Sequence, residues 1–131
     1  MAGKELDAKK RALLCVNASL EKKAKDLVVM KVKELSAFTD YFVICSGASD
    51  RQVQAIAAAI RENMKKKGLL PLGVEGEKHG QWVLMDYEDV VVHIFYEPVR
   101  EFYDIERLWY EAPRMEVAED AICLAALGKG M

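Results

Sequence analysis

The stretch from Asp40 to Gly68 restricts this chain to a mixed α/β fold. Asp40-Tyr-Phe-Val-Ile-Cys45 is apolar at every position after the first, and a strand without polar alternation has to be covered on both faces. It runs directly into Ser46-Gly-Ala-Ser49, a turn of small residues, and then into a helical pattern. Ser49 and Gln52 have the spacing of a capping box. Val53, Ile56, Ala57, Ile60 and Met64 then fall on one face of the helix. Lys65, Lys66 and Lys67 suit the negative end of the helix dipole, and Gly68 can take the left-handed turn that closes it. A buried strand followed at once by an amphipathic helix predicts a layered domain with the helix laid over a sheet.

The flanking segments supply the other elements. Helical spacing from Glu5 to about Lys22 puts Leu6, Leu13, Val16 and Leu20 near one face. Lys25–Lys31 reads as a strand, apolar between charged ends. Leu69–Glu75 reads as another, weakened by Pro71 and Gly73. Trp82–Asp86 and Val90–Phe95 are strands joined by the polar Tyr87-Glu-Asp89, which predicts an antiparallel hairpin. Pro98 can open a short helix carrying Arg100 to Tyr103. Ile105–Tyr110 gives a further turn or short helix that stops near Pro113. The expectation is a single α/β (α+β) domain over residues 1–113, with a mixed sheet of about five strands and flanking helices. A tail follows over residues 114–131, whose apolar stretch Ala121–Leu127 is either weakly helical or mobile.

With 131 residues, 52% of them hydrophobic, such a domain can bury roughly two thirds of its unfolded surface and needs no metal or disulfide to fold. Cys15, Cys45 and Cys123 are scattered and form no CxxC or Cys/His cluster, which argues against a disulfide framework or zinc site and suits a reducing compartment. No apolar run approaches the ~20 residues that span a bilayer, and the N-terminus lacks the apolar core of a secretory signal. A soluble cytoplasmic protein without membrane contact is expected.

Charge is divided along the chain. Residues 1–70 carry 14 Lys and Arg against 8 Asp and Glu, whereas residues 71–111 carry 3 against 10, a net −7. An acidic half is a poor footprint for phosphate backbones, so little direct nucleic-acid contact is expected. It complements a basic protein surface, although solubility alone would also explain it.

Candidate chemistry is sparse. The Ser46–Ser49 loop precedes a helix N-terminus, where anions often bind, but it has neither GxGxxG nor the GxxxxGK[ST] lysine. Turn chemistry explains every residue in it. Asp86 and Asp89 lack the i, i+2 carboxylate spacing of a metal-dependent transferase, and Asp is a common turn residue. His93 alternates with Val91 and Phe95, so it points where they point, and a packed histidine explains it better than a ligand or base. No catalytic, metal or cofactor site is expected. Aromatics crowd into the acidic half, among them Trp82, Tyr103, Trp109 and Tyr110. Adjacent Trp109 and Tyr110 cannot both be buried by one short helix, so at least one is expected at a surface or interface.

Four blocks carry a specific resemblance. They are Thr39-Asp-Tyr-Phe-Val-Ile-Cys-Ser-Gly-Ala-Ser-Asp-Arg-Gln-Val53, Val74-Glu-Gly-Glu77, Trp82–Asp86 with Asp89–Phe95, and Arg100-Glu-Phe-Tyr-Asp-Ile-Glu-Arg-Leu-Trp109. Together, from about Leu6 to Pro113, the chain resembles the RsfS family of ribosomal silencing factors, also called Iojap-like proteins. The resemblance implies a nucleotidyltransferase-like layout without catalysis. It also implies binding to the large ribosomal subunit through ribosomal protein L-fourteen, which blocks subunit joining and lowers translation when nutrients are scarce. By matching position it puts the partner-binding surface at Trp82, Asp86, Asp89, His93, Arg100, Tyr103, Glu106 and Trp109, with Glu75 and Gly76 nearby. Within that set Arg100 and Glu106 could equally pair with each other, and His93 could equally be core. Two alternatives stay open at this point. One is a small nucleotidyltransferase-like enzyme using the Ser46–Ser49 loop with Asp86 and Asp89. The other is a homodimer of the free protein through its exposed aromatics.

Overall fold

The computed structural model describes residues 2–115, with side chains from Ala8 onward; the Ala121–Leu127 stretch and Cys123 lie outside the described residues. The elements run α1 (Ala2–Glu21), β1 (Lys25–Lys31), β2 (Tyr41–Gly47), α2 (Asp50–Lys66), β3 (Gly73–Glu75), β4 (Trp82–Asp86), β5 (Val90–Tyr96), α3 (Glu97–Tyr103), α4 (Ile105–Leu108) and β6 (Arg114–Met115). One mixed sheet holds all six strands in the order β3-β4-β5-β2-β1-β6. That is one strand more than expected. Arg114 and Met115 pair antiparallel with Met30 and Val29 at the edge, and a two-residue strand has no periodicity to reveal it.

β2 is buried at every position, as its unbroken apolar run requires. It pairs parallel with β5, from Tyr41 against Val90 to Gly47 against Tyr96, and α2 lies in the connection between them. The other strand pairs are antiparallel. β4 and β5 form the predicted hairpin. β3 is limited to Gly73–Glu75 rather than starting at Leu69, since Pro71 breaks the pairing of the preceding residues.

Alternation along the central strands defines two faces. Tyr41, Val43 and Cys45 of β2, Val83 and Met85 of β4, and Val90, Val92 and Ile94 of β5 share one core with α1 and α2. From α2 this core takes Val53, Ile56, Ala57, Ile60 and Met64, the stripe read from the sequence. From α1 it takes Ala8, Ala12, Cys15, Val16 and Ala18. Leu13 is buried as well, but Leu20, expected on the same stripe, is 40% exposed because α1 ends one residue later. Leu6 lies among the side chains not described.

The capping box forms. The Gln52 N–H donates to Ser49 Oγ at 3.1 Å, and Gln52 Oε1 accepts from Ala48 N–H at 2.6 Å. Gln52 Nε2 also donates to the carbonyls of Lys22 and Lys23, which ties the end of α1 to the start of α2. Gly68 closes α2 with φ +77°.

Candidate functional site

The second face of the sheet carries a different chemistry. Met30, Phe42, Ile44 and Phe95 lie on it, with Val28, Trp82 and Val91 beside them. Strand register sets these side chains in rows across the sheet. One row runs Trp82–Phe95–Ser46, the next Leu84–His93–Ile44–Val28, and the last Asp86–Val91–Phe42–Met30. Among the described residues only short elements cover this face. Val99, Ile105, Trp109 and Ala112 supply its lid from α3, α4 and the turn after them.

Aromatic rings make contact along its whole width. Tyr103 packs on Trp82 with centroids 4.9 Å apart, and Trp82 stacks on Phe95 at 4.9 Å. His93 meets Phe42 edge to face at 5.0 Å, and Phe42 meets Trp109 the same way at 5.0 Å. Such geometries follow from the ring quadrupoles. Trp82 Nε1–H donates to His93 Nδ1 at 3.2 Å. An indole N–H can only donate, so the histidine proton sits on Nε2, a buried atom with no partner among the described residues. His93 is 6% exposed, and burial lowers its pKa from 6.5 to about 4. It is therefore a neutral, packed ring that orients Trp82.

Large apolar side chains stand proud around this covered centre. Phe102, Tyr103, Leu108 and Tyr110 are exposed on the α3–α4 side, and Leu35 and Phe38 on the connector from β1 to β2, Phe38 at 91%. Of the adjacent pair, Trp109 packs on Phe42 while Tyr110 is exposed. Leu35 and Phe38 escaped the sequence reading. Their signal was two large apolar residues in a connector with no periodic face to bury them.

Trp82, Asp86, His93, Tyr103 and Trp109 therefore come together on one face. Arg100 and Glu106 lie beside it and form the anticipated pair, Arg100 Nε to Glu106 Oε1 at 2.8 Å. Arg100 Nη1 also donates to Ser46 Oγ at 2.8 Å, so this guanidinium fastens α3 and α4 to β2. Glu75 is at the sheet edge, opposite Leu84. Gly76 is a backbone requirement: its φ is +83°, and a Cβ there would run into the Trp82 carbonyl oxygen. Asp89 does not join the face. Its carboxylate is held at 3.1 Å by Arg11 of α1, on the opposite side of the sheet.

The residues required by a nucleotide-binding site are dispersed. Parallel pairing puts Ser46–Ser49 at the C-terminal ends of β2 and β5 and Asp89 at their N-terminal ends, roughly 20 Å apart at ~3.3 Å per residue. The hydroxyls of Ser46 and Ser49 are engaged by Arg100 and Gln52. Cys15 and Cys45 are buried free thiols, and burial raises both pKa values, that of Cys45 to about 12. Among the described residues no three His, Cys, Asp or Glu side chains gather as a metal cage, and no helix is long and apolar enough to cross a membrane.

A family model described as "Ribosomal silencing factor during starvation" matches residues 5–126. Ribosomal silencing factor RsfS of Halalkalibacterium halodurans is 41% identical over 104 residues, covering 79% of this chain and 89% of that protein. The protein of the same name from Bacillus subtilis is 42% identical over 93 residues, 71% of this chain and 79% of its own length. A crystal structure of a Chromobacterium violaceum protein superposes with a TM-score of 0.77 at 34% identity, covering 84% of this chain and 91% of that one.

Proposed function

This chain belongs to the RsfS family of ribosomal silencing factors, and on that premise we propose that it acts in the cytoplasm by docking on the large ribosomal subunit. The contact is with ribosomal protein L-fourteen. Bound there, the protein blocks the small subunit from joining and lowers translation when nutrients are scarce. The observation that carries this reading is the thinly covered face of the sheet, where a continuous set of rings ends in exposed Tyr103 and Phe102, with Leu108 and Tyr110 exposed on either side of Trp109. Exposed aromatic and long apolar side chains around a packed centre are the anatomy of a protein-binding hot spot. The acidic half of the chain suits a basic ribosomal protein. Steric blockade requires a rigid surface, and the Trp82–His93 and Arg100–Glu106 contacts provide rigidity.

Sedimentation of the purified protein with isolated large and small subunits tests this. Co-migration with large subunits and a fall in joined ribosomes is the expected result. Tyr103→Ala should weaken co-migration by roughly tenfold or more while the protein stays folded, as truncated hot-spot residues do. Absence of co-migration at every salt concentration would sink the proposal.

A further inference from the structure

Between the Leu35–Phe38 connector and the sheet lies a groove of about 410 Å³, walled by Leu35, Phe38, Phe42, Val91 and Trp109 and carrying Asp86. The walls are mainly apolar, with Ser36 and Thr39 among them, and the one acidic residue in them is half-buried. Asp86 shares this with Asp40 and differs in it from the other acids that the fold shields. Asp89 is held by Arg11, Glu106 by Arg100 and Arg114, and Glu77 by Arg61. The Asp86 carboxylate accepts one backbone N–H, from Glu88 at 2.8 Å on Oδ1, and no cation of the described residues reaches it. A carboxylate kept in a mainly apolar groove without a counter-charge loses part of its hydration, a loss that an incoming cation offsets.

We propose that this groove receives a lysine or arginine side chain of the protein partner, with its aliphatic stem along Phe42, Val91 and Trp109 and its charge on Asp86. This inference rests on the docking reading above and specifies what that face recognises. Long basic side chains suit such a site, because the methylenes bury against apolar walls while the head keeps a polar partner. The indole and phenyl rings add attraction for a cation. A second copy of this chain is a poor occupant, since residues 71–111 of each copy carry a net −7 and like charges oppose close approach.

The test is binding to isolated large subunits across a range of salt concentrations, comparing wild type with Asp86→Asn, Asp86→Lys and Tyr103→Ala. Asparagine keeps the Oδ1 acceptor for the Glu88 N–H, so the turn survives and only the charge is lost. Asp86→Asn should weaken binding about tenfold and flatten its salt dependence, and Asp86→Lys should bring it below detection. Tyr103→Ala should lower affinity but retain the wild-type salt slope. Wild-type affinity and slope in Asp86→Asn, alongside weakened Tyr103→Ala, would overturn the basic-side-chain groove and leave the docking face standing. Failure of the wild-type protein to bind at any salt would overturn both.

Discussion

The two faces of the sheet are built from the same strands but solve different problems. The face under α1 and α2 is mainly aliphatic and sealed by two long helices, with Val53, Ile56, Ile60 and Met64 fully buried. The other is aromatic and covered by α3 and α4, of seven and four residues. Aliphatic side chains fill volume closely and supply stability. Rings joined edge to face, with a histidine among them and exposed members at the margin, hold a shape that a second protein can meet. If docking uses the aromatic face as proposed, stability and recognition fall on opposite sides of one sheet, and substitutions on the two sides should separate them.

The largest effect should come from the sealed side. Ile60→Ala should cost about 3 kcal/mol of unfolding free energy through lost burial and the cavity left behind, while folded protein keeps its affinity for large subunits; denaturant titration and sedimentation check the two halves. Next comes the pH response of the aromatic side. His93 has a pKa near 4 when folded and 6.5 when free, so between those values the unfolded chain takes up a proton that the native state refuses. Stability should therefore fall as pH drops through that window, by up to about 3 kcal/mol at 1.36 kcal/mol per unit. His93→Phe should flatten the difference between unfolding at about pH 7 and at about pH 4.5, whereas an unchanged difference would assign the slope to other groups.

A smaller effect sits where the two helices meet. Gln52→Ala removes the reciprocal cap and both bonds to the end of α1, and should cost about 1 kcal/mol without touching ribosome binding. The smallest stability change should be that of Tyr103→Ala, within about 0.5 kcal/mol for a half-exposed ring, although its effect on binding should be the greatest of the four. Equal losses of stability and binding in that variant would contradict the division of labour between the faces.

Most of the scaffold could be read from the residues, because its signals are local. The β4 strand was placed at Trp82–Asp86 by its apolar run before the polar Tyr87-Glu-Asp89 turn, and the Ser49–Gln52 cap by its spacing. The stripe on α2 and the inward direction of His93 followed from period alone. The grouping of the site was less accessible. Asp86 and Asp89 look equivalent three residues apart, yet a turn with Glu88 at φ +73° sends them to opposite sides of the sheet. Gly76 looked like part of the docking surface, and only the approach of its backbone to Trp82 shows the steric need. Phe38 became significant only once the connector was seen beside Trp109 and Asp86. Each of these depends on which distant segment lies adjacent, and periodicity carries no such information.

The parallel pairing at the centre of the sheet has a consequence for synthesis. β1 with β2, and β4 with β5, are antiparallel pairs that need only nearby chain. Tyr41 must find Val90, 49 residues later, and closing so long a loop consumes entropy before any contact forms. At ~5–20 residues per second a ribosome needs roughly 2–10 s to deliver that partner. During this interval β2, a strand buried at every position in the finished fold, has one edge on β1 and the other open. A nascent silencing factor is thus most prone to aggregate just before β5 emerges, and its yield in cells should depend on how fast that stretch is translated.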